Sequence, residues 1–276
     1  MRPFRAPAGR AARAQARAEV WMTLRNGESL LLALGIPVLL LVFFSLVEVL
    51  PTPAGTREPV DFLAPGILAL ATMSTGLVNL AIATGFQRGY GVLKRLGTTP
   101  LSRPGLLAAK IVAVLVVQLL QVAVLVPVAV ALGWRPSGAV GGAVLAVLLG
   151  TVAFSGLGLL LAGSLKPELT LALANGLYLV LLLLGGMVVP LETLPDLLRG
   201  VAEVLPAAAL SDALRASVGE GGAVPVRAWV VLSVWAAATP VAAAAAFRWE
   251  GGGGAARLLV ELGQDLADDL RGLVGG

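Results

Sequence analysis

The sequence predicts an all-α membrane protein with six transmembrane helices, an N-terminal interfacial helix and an outer re-entrant helical hairpin between spans five and six. Hydrophobic residues make up 58% of the chain and charged residues 13%, far from the balance of a soluble domain. Six stretches are long enough to cross a bilayer. They are apolar on all sides, without the polar face that a soluble helix shows to water.

The six spans follow from helix geometry. A helix rises about 1.5 Å per residue and the hydrocarbon layer is about 30 Å thick, so roughly 20 apolar residues are needed to cross it. The stretches that meet this length are residues 30–50, 62–85, 106–132, 139–165, 169–189 and 228–247. We therefore assign residues 30–250 to a six-span transmembrane domain.

Composition also excludes several kinds of chemistry. The chain contains no Cys and no His, which excludes disulfides, thiolate zinc sites and imidazole proton transfer. We predict no metal site and no catalytic residue. The net charge of +4 comes from basic residues beside apolar spans, where they face anionic lipid head groups. Membrane lipids are thus expected partners, and nucleic acid is not.

Residues 1–29 form a basic segment before the first span. Arg10, Arg13 and Arg17 fall on one helical face, and Trp21 continues the same stripe. Such a helix suits the membrane surface, with the aromatic ring at head-group depth. A frayed, positively charged leader is the open alternative. The next apolar run is too long for the core of a cleaved signal peptide.

The charge distribution predicts the orientation. With the N-terminus in the cytoplasm, the inner segments hold 15 of the 20 Lys and Arg residues. Positive residues near span ends resist translocation, so both termini are predicted to be cytoplasmic.

The connection between spans two and three is predicted to be a short amphipathic helix on the inner surface, within residues 86–105. It carries five basic residues up to Lys110 and no acidic one. As a helix it clusters Val92, Leu93 and Leu96 on one side. Its sequence contains Gly91-Val92-Leu93-Lys94-Arg95-Leu96 and then Thr98-Thr99-Pro100-Leu101-Ser102-Arg103.

Residues 190–225 are too interrupted by proline to form another crossing. Short amphipathic helices that dip partway into the membrane from outside are expected, and a surface-lying loop is the alternative. The stretch and the five residues before it contain Gly185-Gly186-Met187-Val188-Val189-Pro190-Leu191-Glu192-Thr193-Leu194-Pro195, followed by Leu205-Pro206 and Asp212-Ala213-Leu214-Arg215.

These two stretches, in this order, resemble the second family of ABC-transporter permeases, which are drug, antibiotic and polysaccharide export permeases. The daunorubicin-resistance type is the most similar. The resemblance covers about residues 14–250. It departs just before the inner helix, where family members commonly carry acidic residues and this chain has Gln87, Gly89 and Tyr90.

The resemblance implies a dimer of identical or similar permeases, each resting on one ABC ATP-binding subunit, with transport by alternating access. It implies that the outer hairpin is a lid over the exit and includes Pro190, Pro195, Pro206 and Arg215. The residues that it assigns to coupling with the ATPase are Arg88, Gly91, Val92, Leu93, Lys94, Arg95, Leu96, Thr98, Pro100 and Arg103.

The energy source is predicted to lie on another subunit. A phosphate-cradling loop needs a Gly-Lys-Ser/Thr ending, but Lys94, Lys110 and Lys166 follow Leu, Ala and Leu. No cofactor is therefore expected in this chain, and ATP and Mg belong to the partner. Ion coupling usually needs Asp, Glu or His within the spans, and only Glu48 lies there.

The function predicted from these observations is the permease subunit of an ATP-driven exporter in a bacterial plasma membrane. Its cargo would be hydrophobic or amphipathic: a drug, antibiotic, lipid or glycan, with antibiotic resistance as one role. An ion-driven secondary carrier and a membrane enzyme are the alternatives. Polar residues within the spans are candidate pathway residues, although each could serve packing instead: Asn79, Gln118, Gln121, Asn175 and Tyr178.

Residues 251–276 are predicted to be a Gly linker and an acidic amphipathic cytoplasmic helix, with Leu258, Leu262, Leu266 and Leu270 four residues apart. This helix could bind the ATPase, bind a neighbouring permease or only aid solubility.

Overall fold

The structure is a computed structural model that describes residues 8–47, 58–138, 140–188, 190–218 and 224–247, and within these ranges all regular secondary structure is helical. The tail helix predicted after residue 250 lies outside the described residues. The helices are α1 (Ala8–Arg25), α2 (Gly27–Leu46), α3 (Pro59–Met73), a π-helical segment (Ser74–Asn79), α4 (Leu80–Gly89), α5 (Val92–Gly97), α6 (Arg103–Ala131), α7 (Val140–Ser164), α8 (Pro167–Leu184), a 3₁₀ turn (Leu191–Thr193), α9 (Asp196–Ala202), α10 (Pro206–Val218) and α11 (Val226–Ala246).

Within the described part of the chain, six helical runs are long and apolar enough to cross a membrane, which confirms the predicted six-span, all-α class. They are α2, the continuous run Pro59–Gly89, α6, α7, α8 and α11. The run Pro59–Gly89 comprises α3, the π-helical segment and α4.

Local capping explains where the observed boundaries differ from the expected ones. The first span begins at Gly27 because the Asn26 side chain accepts a hydrogen bond from the backbone N–H of Ser29 at 3.2 Å. The fifth ends at Leu184 rather than residue 189. There Gly186 adopts a φ of +62°, which favours glycine and ends the helical path.

The second span is the central helix of the bundle. Buried side chains make up 72% of its most apolar stretch, compared with 11% for α2 and 17% for α8. The main core gathers α3 with side chains of α6, α7 and α10. Because few residues of α2 and α8 are buried, these two spans are peripheral within one copy of the chain.

A second core lies where α4, α5 and α6 meet, and we call it the α5-end core. Its buried members come from α4 through α7 and from the end of α11: Leu80, Leu93, Leu101, Leu106, Leu107, Val114, Leu159, Ala243 and Phe247. This end of the bundle therefore has tertiary packing of its own, independent of the main core.

The predicted outer hairpin is helical, and its two helices differ in environment. Each proline of residues 190–225 stands at or just before the start of a helix, the position that tolerates the missing N–H. Helix α10 is buried along most of its length and packs on α3, α7 and α11, whereas the side chains of α9 are largely exposed. Helix α10 is thus an integral part of the bundle.

Candidate functional site

The predicted coupling helix is α5, a six-residue helix at the end of the second span. Gly91 precedes it with a φ of +74°, a left-handed conformation that lets the chain reverse after α4. A Cβ at Gly91 would meet open space, so the backbone angle is what favours glycine here. The Thr98 hydroxyl donates to the Arg95 carbonyl at 2.7 Å, and Pro100 is exposed in the link to α6.

The side chains of α5 divide between the bundle and the surface. Leu93 is fully buried in the α5-end core, and Leu96 is half-buried against the same core. Val92, Lys94 and Arg95 are exposed, as is Tyr90 just before the helix. Leu93 therefore fixes α5 to its own chain. The surface that another protein could contact is formed by Tyr90, Val92, Lys94 and Arg95.

Two predicted coupling residues lie outside α5. Arg103 is the first residue of α6, which begins after Ser102 accepts a hydrogen bond from the Gly105 N–H at 3.2 Å. Arg88 belongs to α4 and is buried, and its guanidinium donates to the carbonyl oxygens of Gly163 and Leu165. These carbonyls lie at the end of α7, where the helix dipole favours a cation. Arg88 thus connects the second span to the end of the fourth.

A buried ion pair that the sequence analysis missed lies beside Arg88. Lys110 Nζ is 3.1 Å from Glu19 Oε1 and donates to Gln87 Oε1 at 2.7 Å. Glu19 also accepts a hydrogen bond from Gln15 Nε2 at 2.8 Å. Lys110 and Glu19 are 1% and 7% exposed, so the pair joins α1, α4 and α6 through the interior.

Two features of the sequence could have indicated this pair. Glu19 is the one acidic residue in the basic stretch 1–27, and Lys110 lies inside an otherwise apolar span. A lone charge within a span needs a partner, because an unpaired charge there is expensive. Of the segment 1–29, Ala8–Arg25 is helical in the structure and packs against α6. Its place at the membrane surface stays a prediction.

Two adjoining cavities form what we call the polar groove. One, of about 200 Å³, lies between α1, α2, α4 and α6, with Lys110 and Glu19 in its wall. The other, of about 210 Å³, lies between α2, α3 and α8 and includes Tyr178. Both are lined by Ser29, Ala33 and Asn79, so they meet at the π-helical segment.

Three of the five candidate pathway residues converge on this groove. Asn79 and Tyr178 line it directly. Gln121 Nε2 lies just behind its wall and donates to the Ala33 carbonyl at 2.9 Å and to Thr75 Oγ1 at 3.0 Å. Gln121 therefore holds α6, α2 and the π-helical segment together.

The other two candidates lie elsewhere. Asn175 is exposed on α8, and its amide donates to the Leu171 carbonyl of its own helix at 2.8 Å. Gln118 is buried on the wall of a separate, apolar cavity. The sequence does not distinguish these two residues from the three at the polar groove. The direction in which each side chain points depends on the rotation of its helix, and packing against other helices sets that rotation.

Arg215 holds the outer hairpin to the bundle. Its guanidinium donates to Ser211 Oγ at 2.6 Å and to the Met187 carbonyl at 3.0 Å, and lies 3.9 Å above the Phe62 ring. Gly66 faces the same point, where a Cβ would come within 1.9 Å of the Met187 oxygen. The turn after the fifth span and the start of the second are thus in close contact.

Comparison with known proteins adds the evidence from relatives. The ABC-2 type transporter family matches residues 11–218, most of the chain. The Bacillus subtilis (strain 168) protein named "Putative transport permease YvfS" is 26% identical over 200 residues, which cover 70% of this chain and 79% of that protein. With its six apolar spans and the short helix α5 between the second and third, this chain belongs to the ABC-2 type transporter family of membrane transport permeases.

Proposed function

We propose that this chain is the permease of an ATP-driven exporter that moves a hydrophobic or amphipathic substrate outward by alternating access. The observation that carries the proposal is α5, which is fixed to the bundle by Leu93 and presents Val92, Lys94 and Arg95 to the surface. Membership of the family implies a partner subunit that binds ATP. A short helix with one buried and one exposed side can seat in such a partner while it stays joined to the spans.

Motion of α5 would reach more of the bundle than the two spans that flank it. Leu93 packs in the α5-end core with Leu159 of α7 and Phe247, which follows α11. Arg88, three residues before Gly91, binds carbonyls at the end of α7. Spans are rigid hydrogen-bonded rods, so a displacement of α5 would move the ends of the second, third, fourth and sixth spans together.

The polar groove supplies half of a pathway in this proposal. One of its cavities lies between α2 and α8, the two most peripheral spans, and the other lies between α2 and the helices α1, α4 and α6. Its polar lining residues include Ser29, Asn79 and Tyr178. A second identical or similar permease facing α2 and α8 would close the groove into a passage. Its mixed lining fits an amphipathic drug, antibiotic, lipid or glycan, and antibiotic resistance would be one outcome of such export.

The proposed setting is a bacterial plasma membrane, with both termini and α5 in the cytoplasm and the α9–α10 hairpin at the outer face. ATP and Mg would be held by the partner subunit. The burial of α10 and its contacts through Arg215 favour a lid that moves with the bundle over a loosely attached surface loop.

The first test is capture of the ATP-binding subunit by tagged permease from native membranes. Val92→Asp should abolish co-purification, because it places a charge on the exposed side of α5 and leaves Leu93 buried. Val226→Asp is the matched control. It makes the same change at an exposed position at the start of α11, at the other end of the bundle, and should retain the partner.

Two outcomes would overturn the proposal. One is equal capture by the Val92→Asp variant and the unchanged protein. The other is uphill solute movement by purified permease in vesicles that lack both ATP and the partner subunit. The second result would instead identify an ion-driven carrier.

A further inference from the structure

A second cavity, separate from the polar groove, lies between α6, α7 and α10. Its volume is about 280 Å³, and it shares no lining residue with the two cavities of the groove. Aliphatic side chains make up most of its wall, including Val122 and Leu214, and Trp134 lies in the wall as well. Gln118 is the one amide side chain among its lining residues.

The Gln118 side chain has no hydrogen-bond partner among the described residues. It is 2% exposed, and within those residues neither its amide nitrogen nor its amide oxygen makes a hydrogen bond. Gln121, one turn further along α6, donates to two oxygens. Burial of an unsatisfied amide in an apolar environment is unfavourable, because the hydrogen bonds that it makes with water are lost and not replaced. A group that satisfied both ends of this amide would therefore be held strongly.

The cavity opens between α6 and α7. Leu119 of α6 and Val144 and Leu148 of α7 line it and are exposed, so its mouth lies between these two spans, both of which are apolar enough to cross a membrane. Gln118 is the sixteenth of the 29 residues of α6, which places it near the middle of the span. A ligand would enter from the hydrocarbon layer.

We propose that this cavity binds an uncharged, mainly apolar molecule that carries one hydroxyl group, with the hydroxyl on the Gln118 amide. A hydroxyl both donates and accepts, as the amide requires. A charged head group is disfavoured at this depth. A cavity of about 150 Å³ lined by similar residues holds benzene, so this one has room for a chain or ring system of roughly ten non-hydrogen atoms.

Photolabelling tests the site without reference to transport. The permease would be placed in vesicles of phosphatidylethanolamine and phosphatidylglycerol and labelled with an eight-carbon alcohol that carries a diazirine. We expect adducts on residues of this cavity, mapped by mass spectrometry. 1-Octanol should compete better than octane at equal concentration in the lipid, by about two- to tenfold, the contribution of one hydrogen bond.

Three variants make the test specific. Gln118→Leu keeps the approximate size of the side chain and removes the amide, so the advantage of octanol over octane should disappear while labelling persists. Ala143→Phe fills the cavity and should abolish labelling there. Thr151→Val removes a buried hydroxyl of α7 that bonds to its own helix and is not among the residues lining this cavity, so it should change neither result.

Adducts spread over the lipid-facing surface without enrichment at the cavity would overturn the proposal. It would also be overturned by an unchanged preference for octanol in the Gln118→Leu variant, because the amide would then play no part. Both readouts are independent of ATP and of the partner subunit. They therefore test the cavity separately from the proposed export function.

Discussion

Val92 and Leu93 are neighbours in the sequence and face opposite environments. The sequence pattern places both, with Leu96, on one side of the predicted helix. In the structure Leu93 is fully buried in its own bundle and Val92 is 43% exposed. Replacement of Leu93 by Asp would therefore disturb the α5-end core before it affected a partner. The assignment of these residues to coupling stays a prediction.

The Glu19–Lys110 pair leads to the first prediction at the residue scale. Lys110→Met should destabilise the protein strongly, because it leaves the Glu19 carboxylate buried without its cation. Breaking one side of a buried ion pair costs about 3–5 kcal/mol, whereas replacing both partners with apolar residues is often neutral. The double variant Glu19→Leu with Lys110→Met should therefore recover most of the lost stability. Thermal unfolding in detergent measures the difference.

Lys166→Met is the matched control for this prediction. Lys166 is an exposed residue at the start of α8, and its removal should shift the unfolding midpoint little. If the double variant were no more stable than Lys110→Met alone, the pair would not be coupled as the structure indicates.

At the scale of elements, the π-helical segment brings the second span into close contact with the fourth. Gly158 of α7 faces this segment, and a Cβ there would lie 2.7 Å from the Gly76 oxygen and 2.8 Å from the Leu77 oxygen. The π-helical segment also carries Thr75 and Asn79, so its packing positions part of the polar groove.

We accordingly predict that Gly158→Ala destabilises the bundle by about 1–3 kcal/mol, because the added methyl group forces apart two helices in backbone contact. Gly141→Ala is the control on the same helix. A Cβ at Gly141 meets nothing within 4 Å, so this variant should be neutral or slightly stabilising. The unfolding midpoints of the two variants give the comparison. Equal midpoints would contradict the close approach.

Helix α1 also has a role that its charge pattern did not reveal. Its arginines suggested a helix held only by the membrane surface, yet it packs on α6 and contributes Glu19 to the interior. Trp21 remains 61% exposed, as expected for a residue at head-group depth. The helix is thus fixed by tertiary contacts, and its membrane depth remains a proposal.

At the scale of the whole molecule, the acidic tail after residue 250 is expected to affect assembly of the complex. Truncation after Glu250 removes the Gly linker and the segment with Leu258 and Leu262. We expect the complex with the ATP-binding subunit or with a second permease to lose stability in gel filtration, while membrane insertion persists. The six spans are complete before that point, so insertion does not need the tail.

Full retention of both assembly and transport after this truncation would identify the tail as a solubilising segment. Unchanged mobility of the assembled complex, combined with a loss of transport, would place its role in coupling instead. The insertion control is alkaline extraction of the membranes, in which both forms should stay in the pellet.

The helical class, the six spans and the family follow from the sequence because the length of an apolar run and a short motif are local properties. The partners of the buried polar groups do not follow from it. Glu19 forms an ion pair with Lys110. Arg88 donates to a carbonyl oxygen at the end of α7, and Gln118 lines an apolar cavity separate from the polar groove. These outcomes depend on the rotation of each helix about its axis. That rotation is set by contacts between residues far apart in the chain, which no local pattern encodes.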